Sequence, residues 1–256
     1  MRLEGMQVVL TGAAGGIGSL LAGLLREQGA RVTGIDLADC PACDDALQGD
    51  LSSAAGVQQL AGRLAARRVD VLVNLAGIQY FGPFVQQDAA AIQLGYALNL
   101  VAPSLLARAV LPQMRERGNG QIVNIGSVFG AIPFAHFVTY SAAKAGLKGF
   151  SEALRRELAG SGVQVTHVAP RAVRTKFNSP SVLRFAAITR MNMDPPQAVA
   201  ARIAAVIGTQ TANVVIGFPE SLFVRINAVA PSLVDRALRG NDRKAAAIFT
   251  QTEQHA

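Results

Sequence analysis

The sequence predicts a single-domain α/β fold in which a doubly wound, mostly parallel sheet of seven strands is flanked by helices. Short β-branched runs alternate with longer Ala/Leu-rich segments along the chain, an order typical of repeated βαβ units. Several of the short runs are almost continuously apolar, as expected for strands covered by helices on both faces. Half of the 256 residues are hydrophobic and 16% are charged, which suffices for one large core.

The individual elements follow from these runs. The strands are predicted at residues 6–11, 31–36, 46–49, 69–75, 121–127, 163–168 and 213–217. The helices are predicted at residues 17–28, 54–67, 89–117, 139–159 and 197–207. Gly29, Gly118 and Gly160 follow three of these helices, at the position where a helix commonly ends.

Two later segments depart from the alternation of strands and helices. Residues 171–196, named the lid here, predict a long loop, which in a compact domain commonly has a function. After the last strand the chain is largely apolar until it becomes basic at Arg236, Arg239, Arg243 and Lys244. We predict a catalytic domain at residues 1–220 and a helical extension at residues 221–256. The extension would pack on the same domain or a sister subunit, or lie at a membrane surface.

Charge and composition exclude several classes of protein. The net charge is +7, yet only 5% of the residues are aromatic and no Lys/Arg-rich run occurs, so we expect no nucleic-acid partner. We find no run of about eighteen uncharged apolar residues and expect no transmembrane helix. Glu4 follows the N-terminus closely, so no signal peptide is expected.

The cysteines and histidines are few. Cys40 and Cys43 cannot form a framework of disulfides, which favours a reducing, cytoplasmic location. Their spacing matches redox motifs, but the helix pattern of a thioredoxin-like protein is missing, so we interpret both as surface-loop residues after the second strand. We predict no metal site.

A glycine-rich turn joins the first strand to the first helix. It runs from Thr11 to Gly18 and contains Gly12, Gly15 and Gly16. Glycines there allow a tight turn and let a pyrophosphate approach backbone N–H groups, while the helix dipole favours its negative charge. The alternative is a glycine-rich connection without a ligand. Because strand, turn, helix and a downstream acid occur together, the pattern favours a dinucleotide-binding Rossmann fold.

The downstream acid is Asp36, at the end of the second predicted strand. A carboxylate at this distance from the turn typically accepts hydrogen bonds from a ribose diol, and it would repel a 2′-phosphate. Neither Gly15 nor Leu37 supplies a cation to offset that repulsion. The sequence therefore predicts NAD(H) rather than its phosphorylated form, unless Asp36 is an ordinary turn residue.

Tyr140 and Lys144 lie four residues apart near the start of a predicted helix, so they share one face. An ammonium close to a phenol favours the phenolate by Coulomb attraction and so lowers the phenol's pKa. Ser127 ends a strand thirteen residues before Tyr140, at the carboxyl edge of the sheet where ligands of open α/β folds bind. These three residues form a candidate catalytic group.

At this point the sequence resembles the short-chain dehydrogenase/reductase family over nearly its whole length. The glycine turn matches the family's Thr-Gly-x-x-x-Gly-x-Gly, and Asn74-Leu75-Ala76-Gly77 matches Asn-Asn-Ala-Gly apart from Leu75. The resemblance implies a catalytic tetrad of Asn99, Ser127, Tyr140 and Lys144. It implies cofactor contacts at Gly12, Gly16, Ile17, Gly18, Asp36, Asp50, Leu51, Asn74, Ala76, Gly77, Tyr140, Lys144, Pro170, Val173 and Thr175.

The resemblance also implies a role for each catalytic residue. Ser127 would hydrogen-bond the substrate oxygen, and Tyr140 would give or take its proton while hydride moves to or from the nicotinamide. Lys144 would lower the pKa of Tyr140 and hold the nicotinamide ribose, and Asn99 would anchor a relay water. By itself, Asn99 is equally explained as a polar residue that bends its helix.

One departure from the family lies beside the nicotinamide. The family usually has glycine after the proline of the sixth strand, whereas this chain has Arg171 after Pro170. The substitution changes the expected backbone path and adds a cation at the mouth of the substrate pocket. Residues 171–190 contain only cations among their charged residues, namely Arg171, Arg174, Lys176, Arg184 and Arg190.

These residues suggest the substrate class. A basic lid would attract an anionic handle such as the phosphates of coenzyme A or an acidic acyl carrier protein, unless it is simply a solvated loop. Apolar residues nearby would suit an acyl chain: Phe129, Ile132, Phe134, Phe137, Phe177, Leu183 and Phe185. His136 could meet a substrate oxygen, although a local hydrogen-bonding role is equally compatible with the sequence.

Together these observations predict an NAD(H)-dependent oxidoreductase that interconverts a ketone and a secondary alcohol. A 3-oxoacyl or 3-hydroxyacyl thioester, or another hydrophobic carbonyl compound, is the favoured substrate. A steroid, polyol or other small alcohol is the alternative, as is an NAD(H)-binding regulatory protein without turnover. The family resemblance further implies a homodimer or homotetramer that assembles through the helices at 89–117 and 139–159.

Overall fold

Seven parallel strands form one sheet in the order β3-β2-β1-β4-β5-β6-β7. The computed structural model describes residues 3–253, and only the helical backbone of residues 250–253. The strands are β1 Gln7–Thr11, β2 Arg31–Asp36, β3 Asp45–Gln48, β4 Val71–Asn74, β5 Gly120–Ile125, β6 Val163–Pro170 and β7 Asn213–Ile216. The predicted α/β fold with a doubly wound sheet is confirmed, and every strand pair is parallel.

Nine α-helices occur in the described chain. They are α1 Gly18–Glu27, α2 Ala54–Ala65, α3 Ala89–Tyr96, α4 Ala102–Glu116, α5 Val138–Glu157, α6 Pro180–Thr189, α7 Pro196–Thr209, α8 Glu220–Val229 and α9 Pro231–Glu253. Leu21 of α1 and Ile203 of α7 pack in the core on one face of the sheet. Leu60 of α2 and Leu106 of α4 pack on the other face. Both faces are therefore buried, which explains the continuous apolar strands.

The long helix predicted at residues 89–117 is interrupted. A π-helical turn at Ala97–Val101 joins α3 to α4, and π turns inside helices often occur at functional sites. By length and composition alone, the segment Ala89–Glu116 could cross a membrane. Leu106, Val110 and Met114 of this segment are fully buried in the core beside α2.

The lid is only partly a loop. It contains the ten-residue helix α6, which begins after Ser179, whose hydroxyl accepts a hydrogen bond from the Val182 N–H. The run from Pro180 to Thr189 is short and its apolar periodicity is weak, so the sequence analysis missed this helix, although Ser179 and Pro180 form a typical helix start. Val182, Phe185 and Ala186 form its buried face.

The residues after β7 form the helical pair α8–α9. Val224 and Ile226 of α8 pack in one apolar cluster with Val234 of α9 and Ile132 of the catalytic domain. Further along α9, Ala245 and Ile248 pack against the lid residues Val182 and Phe185. In this chain, therefore, the extension contacts its own catalytic domain and its own lid.

Candidate active site

A cavity of about 800 Å³ lies at the carboxyl edge of the sheet. Parallel strands end there together, so residues that are distant in sequence line one space. The predicted site residues in its wall are Gly12, Gly16, Ile17, Gly18, Asp36, Asp50, Leu51, Ala76, Gly77, Ser127, Tyr140, Lys144, Pro170, Val173 and Thr175. Asn74 and Asn99 are buried outside this wall.

The glycine turn requires glycine at three positions for different reasons. Gly12 has φ +71°, and a Cβ there would meet the backbone of Ala76 at 3.0 Å. A Cβ at Gly18 would clash with the Gly12 carbonyl oxygen, and one at Gly16 would lie 3.1 Å from Thr175 Cγ2. The turn therefore packs tightly against the ends of β4 and β6 while its other side lines the cavity.

Thr11 holds the glycine turn against the segment that follows β4. Its Oγ1 accepts hydrogen bonds from the backbone N–H groups of Leu75 at 3.0 Å and Ala76 at 3.1 Å. These bonds satisfy two buried donors just beyond the strand end. Leu75, the departure from the family pattern, takes part through its backbone, so the change of side chain leaves this link intact.

Asp36 is fixed at the far end of the cavity by backbone donors. Its Oδ2 accepts from the Ala14 N–H at 3.0 Å, and its Oδ1 accepts from Leu37 at 2.8 Å and Ala38 at 3.3 Å. Among the described residues, the cations in the cavity wall are Lys144, Arg171, Arg174 and Lys176, all from α5 or the lid. The wall around Asp36 therefore carries a carboxylate and, among the described residues, no Lys or Arg side chain.

Ser127, Tyr140 and Lys144 converge at the other end. The Tyr140 ring is buried, and its edge-on contact with Phe129 places the ring centroids 6.3 Å apart. Lys144 Nζ donates to the Ile125 carbonyl oxygen at 2.9 Å and lies 5.8 Å from the Tyr140 ring centroid. Ser127 Oγ accepts from the Phe129 N–H at 3.1 Å, which fixes the side chain at the end of β5.

Burial is the main cause of the pKa shifts of Tyr140 and Lys144. It raises the pKa of Tyr140 to about 12, against the lowering effect of a hydrogen bond with Ser127. It lowers the pKa of Lys144 to about 8. The expected lowering of the Tyr140 pKa by Lys144 is absent here, because the loss of hydration disfavours the phenolate more strongly. At neutral pH the arrangement therefore holds a neutral phenol beside an ammonium.

Asn99 lies in the π turn and is fully buried. Its Nδ2 donates to the carbonyl oxygens of Ile78 at 2.8 Å and Gly95 at 2.9 Å. Within the part of the chain that the structure describes, its Oδ1 has no hydrogen-bond partner. A Cβ on Gly77 would contact this oxygen and lie 3.6 Å from Lys144 Nζ, so only a residue without a side chain fits there.

Asn74 does not line the cavity. It is buried at the end of β4, and its Nδ2 donates to Asn124 Oδ1 at 2.8 Å. Asn124 in turn donates to Ser151 Oγ on α5 at 2.9 Å. The chain of bonds ties β4 and β5 to the helix that carries Tyr140. In this structure Asn74 supports the site from below the cavity wall.

Arg171 is an anchored residue rather than a free cation at the pocket mouth. Its guanidinium bonds both carboxylate oxygens of Asp194, at 3.0 and 2.6 Å, and one of Glu220 at 3.0 Å. It also donates to the Phe218 carbonyl oxygen at 3.0 Å. Arg171 thus joins the two ends of the lid to the start of α8, and its charge at the cavity is balanced by two carboxylates.

Two polar residues that sequence analysis missed connect the lid to the rest of the site. Gln79 Nε2 donates to the Phe177 carbonyl oxygen at 3.1 Å and to Asn178 Oδ1 at 3.2 Å. Asn178 Nδ2 donates to the Val173 carbonyl oxygen at 2.7 Å. No local sequence signal predicts these bonds, because the partners are about a hundred residues apart.

Aromatic rings form the wall next to Tyr140. Phe81 stacks on Phe137 with ring centroids 4.5 Å apart, and it also contacts Phe185 at 5.1 Å and Phe249 of α9 at 5.0 Å. His136 lies against Phe249, and burial lowers its pKa. Of the predicted apolar group, Phe129, Phe137 and Phe177 line the cavity directly.

The two cysteines are free thiols in a turn after β2. Cys40 is buried and Cys43 is half-buried, so the expectation of two surface-loop residues is wrong for Cys40. Burial raises the pKa of both thiols, that of Cys43 to about 11. Raised pKa values keep the thiols protonated and poorly nucleophilic at neutral pH.

Comparisons with known proteins agree with this geometry. The family model for short chain dehydrogenases matches residues 6–183. Ketoacyl reductase HetN of Nostoc sp. is 32% identical, over 93% of this chain and 89% of that protein. D-threitol dehydrogenase of Mycolicibacterium smegmatis is 34% identical, over 69% of this chain and 73% of that protein. The structure of a short-chain dehydrogenase from Sphingobium yanoikuyae in complex with NADPH superimposes with a TM-score of 0.75 at 27% identity, covering 90% and 95% of the two chains.

Proposed function

The chain belongs to the short-chain dehydrogenase family and is an oxidoreductase of CH–OH and C=O groups, and we propose that it uses NAD(H) to interconvert a hydrophobic ketone and its secondary alcohol. The favoured substrate is a 3-oxoacyl or 3-hydroxyacyl thioester. The observation that carries the proposal is one cavity with a cation-free acidic end at Asp36, a phenol and ammonium at Tyr140 and Lys144, and an aromatic wall.

The glycine turn fits a dinucleotide on structural grounds. Gly12, Gly16 and Gly18 all lie where a side chain would collide with neighbouring atoms, and all three line the cavity. These glycines would hold the pyrophosphate, Thr175 would contact the nicotinamide carboxamide, and Asp50 with Leu51 would flank the adenine. When bound, the nicotinamide dinucleotide supplies or accepts the hydride of the reaction.

Asp36 supports NAD(H) over its phosphorylated form. Its carboxylate accepts hydrogen bonds from three backbone N–H groups, which fix its position at the site where a ribose diol would lie. A 2′-phosphate there would meet a fixed negative charge, and the cavity's cations come from other segments. This assignment separates the chain from its NADPH-bound structural neighbour and needs a direct test.

The side chains around Tyr140 suit proton donation to a ketone oxygen. Tyr140 is a neutral phenol at neutral pH, so it can donate, and Ser127 is placed to hydrogen-bond the same oxygen. Lys144 keeps a positive charge below pH about 8 and stabilises the phenolate that proton transfer leaves behind. Among the described residues Asn99 Oδ1 has no hydrogen-bond partner, and this oxygen would accept a hydrogen bond from a water that relays a proton towards Lys144.

The lid and the aromatic wall support an acyl thioester. Arg174 and Lys176 line the cavity and keep it positive even though Arg171 is neutralised by Asp194 and Glu220. They suit the phosphates of coenzyme A or an acidic acyl carrier protein. Phe129, Phe137 and Phe177 would contact the acyl chain.

A homodimer or homotetramer in the cytoplasm completes the proposal. Five exposed apolar residues lie on the predicted assembly helices: Leu94, Tyr96, Val101, Leu105 and Val138. Burial of such side chains between subunits would remove them from water. The free thiols of Cys40 and Cys43 suit a reducing compartment.

The experiment that tests the function is a rate measurement on a substrate panel. NADH and NADPH consumption would be followed by near-UV absorbance with 3-oxoacyl coenzyme A thioesters of increasing length, an uncharged ketone and a keto sugar. We expect turnover with NADH and a kcat/KM that rises with acyl length. Faster turnover of the keto sugar, or of all substrates with NADPH, would contradict the proposal.

A further inference from the structure

The helical pair α8–α9 carries an unusual concentration of exposed apolar residues and exposed cations. Large apolar side chains in contact with water are Leu222, Phe223, Val229 and Leu233, with Val229 at 85% exposure, and Phe218 just before α8 is 74% exposed. Exposed patches of this kind on a folded domain commonly mark an interaction surface.

The outer face of α8 has a regular pattern. Leu222, Arg225 and Val229 are exposed at positions i, i+3 and i+7, which places them on one side of the helix. The opposite side faces the domain, because Val224 packs in the core and Asn227 Nδ2 donates to the Ala131 carbonyl oxygen at 2.8 Å. The helix is thus held by one face and presents an apolar face with a central arginine to its surroundings.

The outer face of α9 has exposed residues at the same spacing as α8, but these residues are cations. Arg236, Arg239 and Arg243 are exposed at positions i, i+3 and i+7. The inner side is again packed, through Val234 and Ile248. An apolar strip on α8 is therefore followed by a basic strip on α9, and α8 and α9 contact each other.

Positive charge exceeds negative charge on these two helices. Residues 220–244 contain five Lys and Arg but only three Asp and Glu. One of these acids, Glu220, is neutralised by Arg171 of the lid. Asp242 is half-buried and interacts with His136, which leaves Asp235 as the exposed acid of the described pair α8–α9. The outer faces are thus strongly positive.

We propose that the outer faces of α8 and α9 dock on the surface of an anionic phospholipid bilayer. An apolar helix face inserts at the boundary between headgroups and acyl chains, and arginines beside it attract anionic headgroups. A second copy of the chain would bring the same arginines against each other, which is unfavourable. An acidic soluble protein would match the arginines but would not explain why Phe218, Leu222 and Val229 face water.

The test is co-sedimentation of the full-length protein with vesicles of phosphatidylcholine, with and without phosphatidylglycerol. We expect binding to the anionic vesicles and a decrease with added salt, because exposed charges are screened. The double variant Arg236→Gln/Arg239→Gln should weaken partitioning about 25-fold, from about 1 kcal/mol for each arginine. The double variant Leu222→Gln/Val229→Gln should weaken it by at least a similar factor.

Matched controls separate docking from loss of the fold. Val85 is 92% exposed, and Arg63 is exposed on α2. Val85→Gln removes an exposed apolar side chain and Arg63→Gln removes an exposed cation, both outside α8 and α9. Both variants should bind the vesicles like the wild type. Unfolding temperatures of all variants should agree within a few degrees. None of these readouts depends on catalysis or on the proposed substrate.

The proposal is overturned by any of three results. The first is equal sedimentation of the wild type with neutral and anionic vesicles. The second is binding of the α8 and α9 variants at the level of the controls. The third is a wild type that binds neither kind of vesicle; dissociation of an oligomer by Leu222→Gln/Val229→Gln would then assign the apolar face to a second copy of the chain.

Discussion

Lys144 Nζ lies 5.8 Å from the centroid of the Tyr140 ring, one helical turn away along α5. Burial shifts the two pKa values away from each other, that of Tyr140 up to about 12 and that of Lys144 down to about 8. Between pH 7 and 8 the pair therefore holds a neutral proton donor next to a cation. This combination favours donation to a carbonyl oxygen, and it links the geometry of one helix to the chemistry of ketone reduction.

The first prediction concerns the pH dependence of reduction. Because the folded-state pKa of Lys144 is lowered to about 8, its ammonium is present below that pH and lost above it. We expect kcat/KM for ketone reduction to fall as the pH rises through about 8. The Lys144→Met variant should lose activity by about 10²-fold or more and should lack this decline.

Lys148 provides the matched control for that measurement. It lies on the same helix, one turn further on, and pairs with Glu152 at 2.7 Å rather than lining the cavity. Lys148→Met should keep both the rate and the decline above pH 8. A decline that persists in Lys144→Met would assign it to another group.

The second prediction concerns the choice of cofactor. Asp36→Ser removes the fixed carboxylate. The ribose diol of NADH then loses a charge-assisted hydrogen bond, and the 2′-phosphate of NADPH no longer meets a negative charge. We expect kcat/KM with NADH to fall about tenfold and that with NADPH to rise, as measured by initial rates. Asp39→Ser, an exposed change three residues further on, should leave the ratio unaltered. An unchanged ratio in Asp36→Ser would refute the assignment.

The third prediction concerns the anchor of the lid. Arg171→Gly restores the residue usual in the family but leaves Asp194 and Glu220 without their cation. We expect the free energy of unfolding to fall by about 2 kcal/mol, since these are short charge-assisted hydrogen bonds in a partly buried site. KM for the ketone should rise more than kcat falls, because the lid loses its fixed position.

A second lid variant tests whether glycine alone causes that effect. Lys176→Gly adds the same backbone freedom at an exposed lid position. It should leave the free energy of unfolding within about 0.5 kcal/mol of the wild type. Equal destabilisation by both variants would show that the ion pairs of Arg171 contribute little.

The fourth prediction concerns stability in acid. His167 of β6 is buried next to Gly126, and burial lowers its pKa to about 4, with the nearby Lys144 charge acting in the same direction. The imidazole of the unfolded chain binds a proton below about pH 6.5, whereas that of the folded chain binds one only below about pH 4. The free energy of unfolding therefore falls as the pH is lowered from 6.5 to 4. The loss should reach about 3 kcal/mol.

Denaturant titrations at several pH values provide the check. His167→Val removes the titrating group, and its free energy of unfolding should change less between pH 6.5 and 4 than that of the wild type. Carboxylates that lose stabilising contacts below pH 4 would affect both proteins alike. Identical pH slopes would mean that His167 does not titrate in this range.

The parallel sheet could be predicted because its strands are buried on both faces and therefore apolar throughout. The turn from Thr11 to Gly18 could be located because its backbone geometry demands glycine, which a sequence shows directly. The anchoring of Arg171 could not be predicted, since its acids lie 23 and 49 residues away and only the folded chain unites them.

Two further errors have physical causes. Helix α6 has only three buried residues, so its periodicity is too weak to recognise. The pKa of Tyr140 was expected to fall because Lys144 shares its helix face. Sequence spacing contains no information about hydration, and the burial of the phenol reverses the sign.

The most direct test of the central claim compares NADH turnover with NADH binding in Tyr140→Phe. This variant removes the hydroxyl that donates the proton and keeps the ring that packs against Phe129. We predict that ketone-dependent NADH oxidation falls by at least about 10³-fold while the fluorescence of bound NADH gives nearly the same Kd. Turnover at the wild-type rate would contradict the account, because Tyr140 would then not be the proton donor.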